Sequence, residues 1–280
     1  MKDYLKLLRV KHYIKNILVF IPLFFARELF DYKKFFVALE AFICFCLISS
    51  AIYIINDLRD IEKDRAHSTK CYRPLASGRV SKKAAIMLFT VCFLNSILCA
   101  LLMRNAYALF LLLTYFILNL GYSFGLKNKP IIDVVILASG FVIRILYGGI
   151  ATDVFVSKWL YLVVAVGALY MGFGKRRNEL KEQKETRDVL QYYNVEFLDK
   201  NMYVCMTLTN VFFALWTVEL SNQYIVWTVP LFIIIMMRYS LDVEKKSDGD
   251  PTEVILHDKI LVIMVSVYAV CIFLMLYLIQ

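Results

Sequence analysis

The chain has 280 residues, of which 60% are hydrophobic, and it carries a formal net charge of +9. Soluble domains contain roughly 45–50% apolar residues, so this composition excludes an ordinary soluble protein and indicates a membrane protein. The seven cysteines and three histidines are scattered, which argues against a disulfide framework or a zinc site. Any bound metal is therefore expected to have oxygen ligands, which favours magnesium.

Long apolar segments recur along the whole chain, each of about 20 residues and able to cross the hydrocarbon core of a bilayer. They predict an all-α, polytopic membrane helical bundle with nine transmembrane helices, near residues 16–30, 35–56, 84–103, 105–124, 131–150, 156–174, 203–220, 224–241 and 260–279. The charged N-terminal segment lacks a signal-peptide cleavage site, so we expect it to be retained. Because no linker rich in Ser, Gly or Pro interrupts the chain, residues 1–280 are predicted to form a single transmembrane domain.

Basic residues indicate the orientation of the chain. If the N-terminus lies inside, most of the 32 Lys and Arg residues fall on the inner face, and the opposite face holds only Arg27, Lys33, Lys34, Arg104 and Lys158. The positive-inside rule then places the N-terminus in the cytoplasm. The longer connections, near 57–83, 175–202 and 242–259, lie on the same face and are predicted to form cytoplasmic cap loops. We therefore expect the active site at the cytoplasmic face of the cell inner (plasma) membrane.

An acidic segment, NDLRDIEKD, follows the second span at residues 56–64. Asp57, Asp60 and Asp64 are spaced i, i+3 and i+7, so on one helix they share a face, and Asn56 is spaced i+4 from Asp60. Three carboxylates on one stripe repel each other unless a cation lies among them. Because Mg²⁺ combines a few carboxylate oxygens with substrate phosphates and water, the stripe predicts a magnesium-bound diphosphate. The alternative is a solvated helix end on which acidic and basic residues alternate.

A basic segment, RAHSTKCYRPLASGR, comes directly afterwards at residues 65–79. Lys70 and Arg73 are two of its cations, and Pro74 and Gly78 predict bends that wrap the chain around an anion. Arg offers a planar fork for phosphate oxygens and Lys a movable point charge. Beside the acidic stripe the segment favours phosphate binding, whereas attraction to anionic lipids is the alternative.

Polar residues elsewhere are further candidates. Lys15 lies at the start of the first span, and Tyr122 and Lys127 belong to the segment YSFGLK after the fourth; snorkelling to the interface is the alternative role for both lysines. Arg144 falls in the body of the fifth span, where an ionisable residue is costly and is by default a functional candidate, although a structural partner on another helix is an alternative. The last inner connection holds, after Arg238, three acidic residues that we expect to order the loop: Asp250, Glu253 and Asp258.

The acidic segment resembles the first Asp-rich motif, NDxxDxxxD, of the UbiA superfamily of intramembrane prenyltransferases. More narrowly, six segments in order resemble the decaprenyl-phosphate phosphoribosyltransferase branch: KHYIKNILVFIPLFFA, DRAHSTKCYRPLASG, YSFGLK, DVVILASGFVIRILYGG, GKRRNEL and GDPTEVILHDK. The resemblance covers the whole chain and implies a UbiA-like fold. It implies an enzyme that transfers 5-phosphoribosyl from phosphoribosyl diphosphate to a polyprenyl phosphate, with Mg²⁺ as cofactor.

The resemblance also implies roles for residues. Mg²⁺ on the leaving diphosphate would be held by Asp57, Asp60 and Asp64, with Asn56 orienting. The phosphates would be bound by six cations: Lys15, Lys70, Arg73, Lys127, Lys175 and Arg176. Asn56, Tyr122, Arg144 and Glu179 complete the expected substrate-binding set. The expected partners are phosphoribosyl diphosphate, a polyprenyl phosphate lipid and the membrane; no nucleic acid is expected, and the oligomeric state is left open.

The segment after the sixth span departs from the wider superfamily. Ordinary members carry a second Asp-rich motif there, usually DxxxD, whereas this chain has GKRRNELKEQKETRDVLQ. Cations in place of carboxylates suit a donor with one more phosphate, although positive-inside topology alone is an alternative explanation. The second candidate function is an ordinary UbiA-type prenyltransferase that moves a prenyl group from prenyl diphosphate to an aromatic or haem acceptor. The first Asp-rich motif is common to both functions, and the missing second motif counts against this alternative. A transporter is disfavoured, because nearly all polar residues lie on one face.

Overall fold

The computed structural model describes residues 2–67, 69–182, 188–220, 222–244, 254 and 257–278, and within those ranges every regular element is helical. The α-helices are α1 Lys2–Leu7, α2 Ile21–Phe25, α3 Tyr32–Arg59, α4 Ile61–Arg65, α5 Lys82–Leu102, α6 Ala106–Ser123, α7 Ile132–Thr152, α8 Lys158–Glu182, α9 Val195–Glu219, α10 Val229–Glu244 and α11 Lys259–Tyr277. Short 3₁₀ helices are Val10–Phe20, Lys70–Tyr72, Leu126–Asn128, Asp188–Tyr192 and Gln223–Thr228. The all-α prediction is confirmed.

Seven of the described helices are long and apolar enough to cross a membrane: α3, α5, α6, α7, α9, α10 with its preceding turn, and α11. The predicted number of nine is not confirmed. The predicted first span, near 16–30, is divided between the 3₁₀ helix Val10–Phe20 and the short helix α2, with Pro22 at the junction. The predicted sixth span lies in α8, whose last turns carry the charged segment that begins at Lys175.

Polar residues in the connections start several helices. The side-chain oxygens of Asp31, Ser81, Asn105 and Asn194 accept hydrogen bonds from the first backbone N–H groups of α3, α5, α6 and α9. These N–H groups have no partner within their own helix, so such caps stabilise each helix end by about 1 kcal/mol. The sequence thereby sets where the long apolar helices begin.

The chain divides into two compact units. Unit 1 comprises Met1–Leu126 and Ile143–Phe155, and unit 2 comprises Lys127–Val142 and Val156–Gln280. Each unit has its own apolar core. The core of unit 1 includes Val19, Phe45, Ile48, Leu112 and Tyr147. The core of unit 2 includes Val134, Tyr170, Leu198, Val243 and Leu261.

Gly148 allows the 3₁₀ helix Val10–Phe20 to approach α7 closely in unit 1. A Cβ at position 148 would lie 1.9 Å from the carbonyl oxygen of Val19. With three residues per turn, the 3₁₀ helix places Tyr13, Asn16 and Val19 on one face. Asn16 and Val19 on that face are buried. Gly148 therefore fixes the position of a segment that carries the candidate residue Lys15.

Candidate functional site

The acidic segment is not one continuous helix. Helix α3 ends at Arg59, Asp60 adopts φ −92 and ψ 11, and α4 begins at Ile61. The prediction that the three aspartates lie on a single helix is therefore wrong, because the chain turns at Asp60. Backbone hydrogen bonds from Asp60 to Asn56 (3.0 Å) and from Asp64 to Asp60 (2.7 Å) continue the four-residue spacing through the turn.

The carboxylates of Asp57 and Asp64 meet at one guanidinium nitrogen. Nη1 of Arg73 lies 2.8 Å from Oδ2 of Asp64 and 3.3 Å from Oδ1 of Asp57. Asp57 is 3% exposed and Asp64 4% exposed. Two carboxylates so deeply buried require neutralisation, because burial penalises the charged form and like charges repel. Arg73, a residue that the sequence singled out for phosphates, supplies part of this neutralisation.

Arg9 also contributes to the neutralisation of Asp57, and it was not among the candidates predicted from the sequence. Its Nη2 lies 2.6 Å from Oδ1 of Asp57, and its guanidinium lies 4.6 Å from the ring centroid of Tyr53. Arg9 has φ 53, in the left-handed region that non-glycine residues rarely adopt, and it directly precedes the 3₁₀ helix Val10–Phe20. The only signal in the sequence is a basic residue among several in the N-terminal segment.

The loop that carries Arg73 is anchored by buried apolar side chains. Pro74 disfavours a helical conformation at Arg73, which is extended at φ −63 and ψ 147 and ends the turn Lys70–Tyr72. Leu75 and Val80 are each 3% exposed and pack in a cluster with Ile61 of α4. The same cluster contains Leu7 and Ile54. Helices α1, α3 and α4 and the loop therefore hold the two arginines and two aspartates in one place.

The remaining candidates of unit 1 have contacts of their own. The side-chain oxygen of Asn56 accepts a hydrogen bond from Ser123 at 3.2 Å. Asp60, Lys70, Tyr122 and Lys15 are partly exposed, and each has further interactions.

Arg144 is buried among polar and aromatic side chains of unit 1. Its Nε donates to Oδ1 of Asn16 at 2.8 Å and its Nη2 to the hydroxyl of Tyr115 at 2.9 Å. Its guanidinium lies 4.9 Å from the ring centroid of Phe45. Arg144 therefore has partners on other segments, which was the alternative raised from the sequence. The predicted role in substrate binding stays a prediction.

The segment GKRRNEL of unit 2 lies on a helix, since α8 runs through it to Glu182. Arg176 is 0% exposed; its Nε lies 2.5 Å from Oδ2 of Asp133, and its Nη1 pairs with Glu179. The second oxygen of Asp133 accepts a hydrogen bond from Tyr193 at 2.7 Å. Burial is the main reason why the pKa of Tyr193 rises to about 12. These contacts favour a role for Arg176 and Glu179 in fixing the end of α8.

The other cations of unit 2 differ in exposure and in contacts. Arg177 pairs with Asp199, and Lys175 and Lys127 are partly exposed with further interactions. Arg238 lies 2.5 Å from Asp258. This contact agrees with the expected ordering role of Asp258, whereas Asp250 and Glu253 lie outside the described residues.

Two of the three predicted carboxylate ligands fit magnesium. In the part of the chain that the structure describes, no group of three or more His, Cys, Asp and Glu side chains is arranged to hold a metal, so Asp57, Asp60 and Asp64 do not form a three-carboxylate group. Asp57 and Asp64 nevertheless converge on the single cationic nitrogen of Arg73. Mg²⁺ uses one or two carboxylates together with substrate phosphates and water, so the pair fits this metal in ligand type and number.

Fold and sequence together define the class of protein. The chain matches the UbiA prenyltransferase family over residues 17–260 and belongs to it. It is accordingly a multi-pass membrane protein, with several apolar helices of sufficient length.

Within this family, curated relatives that match more than nine tenths of the chain share one name. Decaprenyl-phosphate phosphoribosyltransferase of Corynebacterium glutamicum is 34% identical, over 98% of this chain and 86% of its own length. The protein of that name from Mycobacterium tuberculosis is 32% identical, over 91% of this chain and 88% of its own length.

Solved structures share the fold. A UbiA homolog from Archaeoglobus fulgidus bound to GPP and Mg²⁺ has a TM-score of 0.75 at 19% identity, covering 98% of this chain and 99% of the homolog. The same homolog bound to DMAPP and Mg²⁺ has a TM-score of 0.74. The predicted UbiA-like fold is confirmed.

Proposed function

We propose that the chain is a polyprenyl-phosphate phosphoribosyltransferase. It moves 5-phosphoribosyl from phosphoribosyl diphosphate to a polyprenyl phosphate of the decaprenyl type and releases diphosphate. The observation that carries the proposal is the buried pair Asp57 and Asp64, held together with Arg9 and Arg73 in unit 1. It combines carboxylates that suit Mg²⁺ with guanidiniums that suit phosphate oxygens. The names of the whole-length relatives support the choice of donor and acceptor.

In the proposed reaction, a phosphate oxygen of the lipid attacks C1 of the ribosyl group. The bond from C1 to the diphosphate oxygen breaks, and diphosphate leaves with the electron pair. Mg²⁺ would be held by Asp57 and Asp64 and would supply Lewis-acid stabilisation of the charge on the leaving group. The metal-binding roles of Asn56 and Asp60 stay predictions from the sequence. The acceptor phosphate is itself the nucleophile, so no covalent bond to the protein is needed.

The cations of unit 1 orient the donor in this proposal. Arg73 presents two parallel N–H donors to phosphate oxygens, and Lys70, in the same loop, adds a mobile charge. Lys15 and Tyr122 remain proposed substrate contacts. In unit 2, Lys127 and Lys175 stay predictions from the sequence. In the described part of unit 2, the buried carboxylate Asp133 is engaged by Arg176.

We place the acidic pair and the N-terminus at the cytoplasmic face of the inner membrane. The uneven distribution of Lys and Arg along the sequence supports this orientation. A protease-cleavable N-terminal tag should be cut in inverted membrane vesicles and protected in intact spheroplasts. The reverse pattern would overturn the orientation.

The function is tested by lipid extraction after incubating purified protein with labelled phosphoribosyl diphosphate, Mg²⁺ and decaprenyl phosphate. We expect label in the lipid phase, lost with chelator and in Asp57→Ala. Glu62→Gln is the matched control, because its side chain is 78% exposed and pairs only across the helix surface with Arg65. A parallel reaction contains a labelled prenyl diphosphate and an aromatic acceptor. Label from that donor and none from phosphoribosyl diphosphate would overturn the proposal in favour of ordinary prenyl transfer.

A further inference from the structure

Two arginines lie between the acidic pair and water. The side chains of Asp57 and Asp64 are 3% and 6% exposed, whereas those of Arg9 and Arg73 are 19% and 27% exposed. The arginines come from different segments, one at the N-terminal end of the chain and one in the loop after α4. Both contact Oδ1 of Asp57, and Arg73 also contacts Asp64. The guanidiniums thus contact Oδ1 of Asp57 and Oδ2 of Asp64, one oxygen of each carboxylate that a metal would use.

We propose that Arg9 and Arg73 are internal counter-ions of Asp57 and Asp64. Both guanidiniums must leave these carboxylates before Mg²⁺ can bind, so the metal binds weakly until phosphates of the donor accept the arginines. The inference rests on the proposed function and adds Arg9 as a positioning residue. Its physical basis is competition. Nη2 of Arg9 lies 2.6 Å from Oδ1 of Asp57, so a metal at roughly 2.1 Å from the same oxygen would lie beside a like charge, and the two cations repel each other.

The exchange of the two arginines for Mg²⁺ at the carboxylates is balanced in charge. When the site lacks substrate, the arginines neutralise two buried carboxylates, which otherwise repel each other. When Mg²⁺ takes the carboxylates, the released guanidiniums are available for phosphate oxygens, with which they form bidentate charge-assisted hydrogen bonds. Metal and donor therefore favour each other's binding. The metal replaces the arginines as partner of the carboxylates, and the donor phosphates replace the carboxylates as partner of the arginines.

The local structure suits movement of side chains rather than backbone. The loop after Arg73 is anchored through Leu75 and Val80, both 3% exposed, so its backbone is held in place. The guanidinium of Arg73 is more exposed than the carboxylates that it contacts. Arg9 has a second surface to lie on, the ring of Tyr53 at 4.6 Å. Rotation of two long side chains therefore opens the carboxylates.

The test is a donor-free titration of detergent-purified protein with Mn²⁺, followed by EPR of the free ion. We expect Arg73→Gln and Arg9→Gln to bind Mn²⁺ at least about tenfold more tightly than wild type, because a competing charge-assisted contact is lost. Lys63→Gln is the matched control: it removes one positive charge from an exposed position next to Asp64 and should leave the affinity unchanged. Adding Asp57→Asn to Arg73→Gln should abolish the gain.

Unchanged or weaker Mn²⁺ binding in Arg73→Gln and Arg9→Gln would overturn the inference, as would an equal gain in Lys63→Gln. If Arg73→Gln is not recovered folded, Arg9→Gln carries the test alone, since it contacts Asp57 from a separate segment. Failure of the inference is distinguishable from failure of the proposed function. The titration contains no donor, so wild type that does not transfer from phosphoribosyl diphosphate would refute the activity and leave the Mn²⁺ comparison intact.

Discussion

Replacing Arg176 with Met distinguishes a structural role from the substrate-binding role that the sequence predicted. The guanidinium of Arg176 is 0% exposed and neutralises Asp133, which is also 0% exposed, and Glu179, which is 8% exposed. Met retains most of the aliphatic volume, so the main loss is the charge. Removing one partner of a buried ion pair costs about 3–5 kcal/mol, because the remaining charge stays buried without compensation. At 2–4 °C per kcal/mol, the unfolding midpoint should fall by roughly 10 °C.

The assay is heating in detergent followed by fluorescence-detected size-exclusion chromatography. Lys200→Met is the matched control in the same unit, because Lys200 and its partner Glu196 are 72% and 77% exposed, and such a surface pair is worth at most about 1 kcal/mol. The double variant Arg176→Met with Asp133→Asn should recover part of the loss, since one buried charge is removed. A variant Arg176→Met as stable as wild type but inactive in ribosyl transfer would refute this reasoning and support direct contact with substrate.

Three further predictions concern the metal pair, helix packing and a buried phenol. Asp57→Asn should lower the transfer rate at least about a hundredfold, measured as label in the lipid phase, because one of the two carboxylates proposed to hold Mg²⁺ loses its charge. Gly148→Ala should destabilise the protein by about 1–3 kcal/mol or more in the thermal assay, since its Cβ would lie 1.9 Å from a backbone oxygen. The control Gly167→Ala, whose Cβ would have its nearest neighbour at 3.5 Å, should be neutral or slightly stabilising in the same assay. Tyr193→Phe should cost about 1–3 kcal/mol at neutral pH, because Asp133 loses a hydrogen-bond donor. Because the folded-state pKa of Tyr193 is raised to about 12, its contribution should be complete below pH 10 and lost as the pH rises through 12, a loss absent from Tyr193→Phe.

The acidic and basic segments were predictable because they are close in sequence. Asp57 and Arg73 are 16 residues apart, and Pro74 ends the turn that carries Arg73. Spacing and residue type were therefore sufficient to expect carboxylates and cations side by side. The break at Asp60 was not predictable, since the four-residue spacing of Asn56, Asp60 and Asp64 is the same on both sides of the turn.

Longer-range contacts were not predictable from the sequence. Arg9 and Asp57 are 48 residues apart, and Arg144 and Asn16 are 128 residues apart. Arg176 and Arg73 look alike in sequence, each in a basic segment after an apolar span, yet the first is fully buried against two carboxylates and the second is partly exposed. A positive charge in a sequence does not say whether it faces water, a substrate or a buried acid.

The sequence alone determined the membrane class, the all-α architecture and the position of the acidic segment, because hydrophobic length and residue type act locally along the chain. Only the tertiary structure decided which cations neutralise which carboxylates. That choice depends on how helices pack: Gly148 admits the 3₁₀ helix to α7, and the apolar cluster around Leu75 brings the loop of Arg73 against α4. Packing of this kind depends on the shape of distant side chains, and no spacing within a single segment records it.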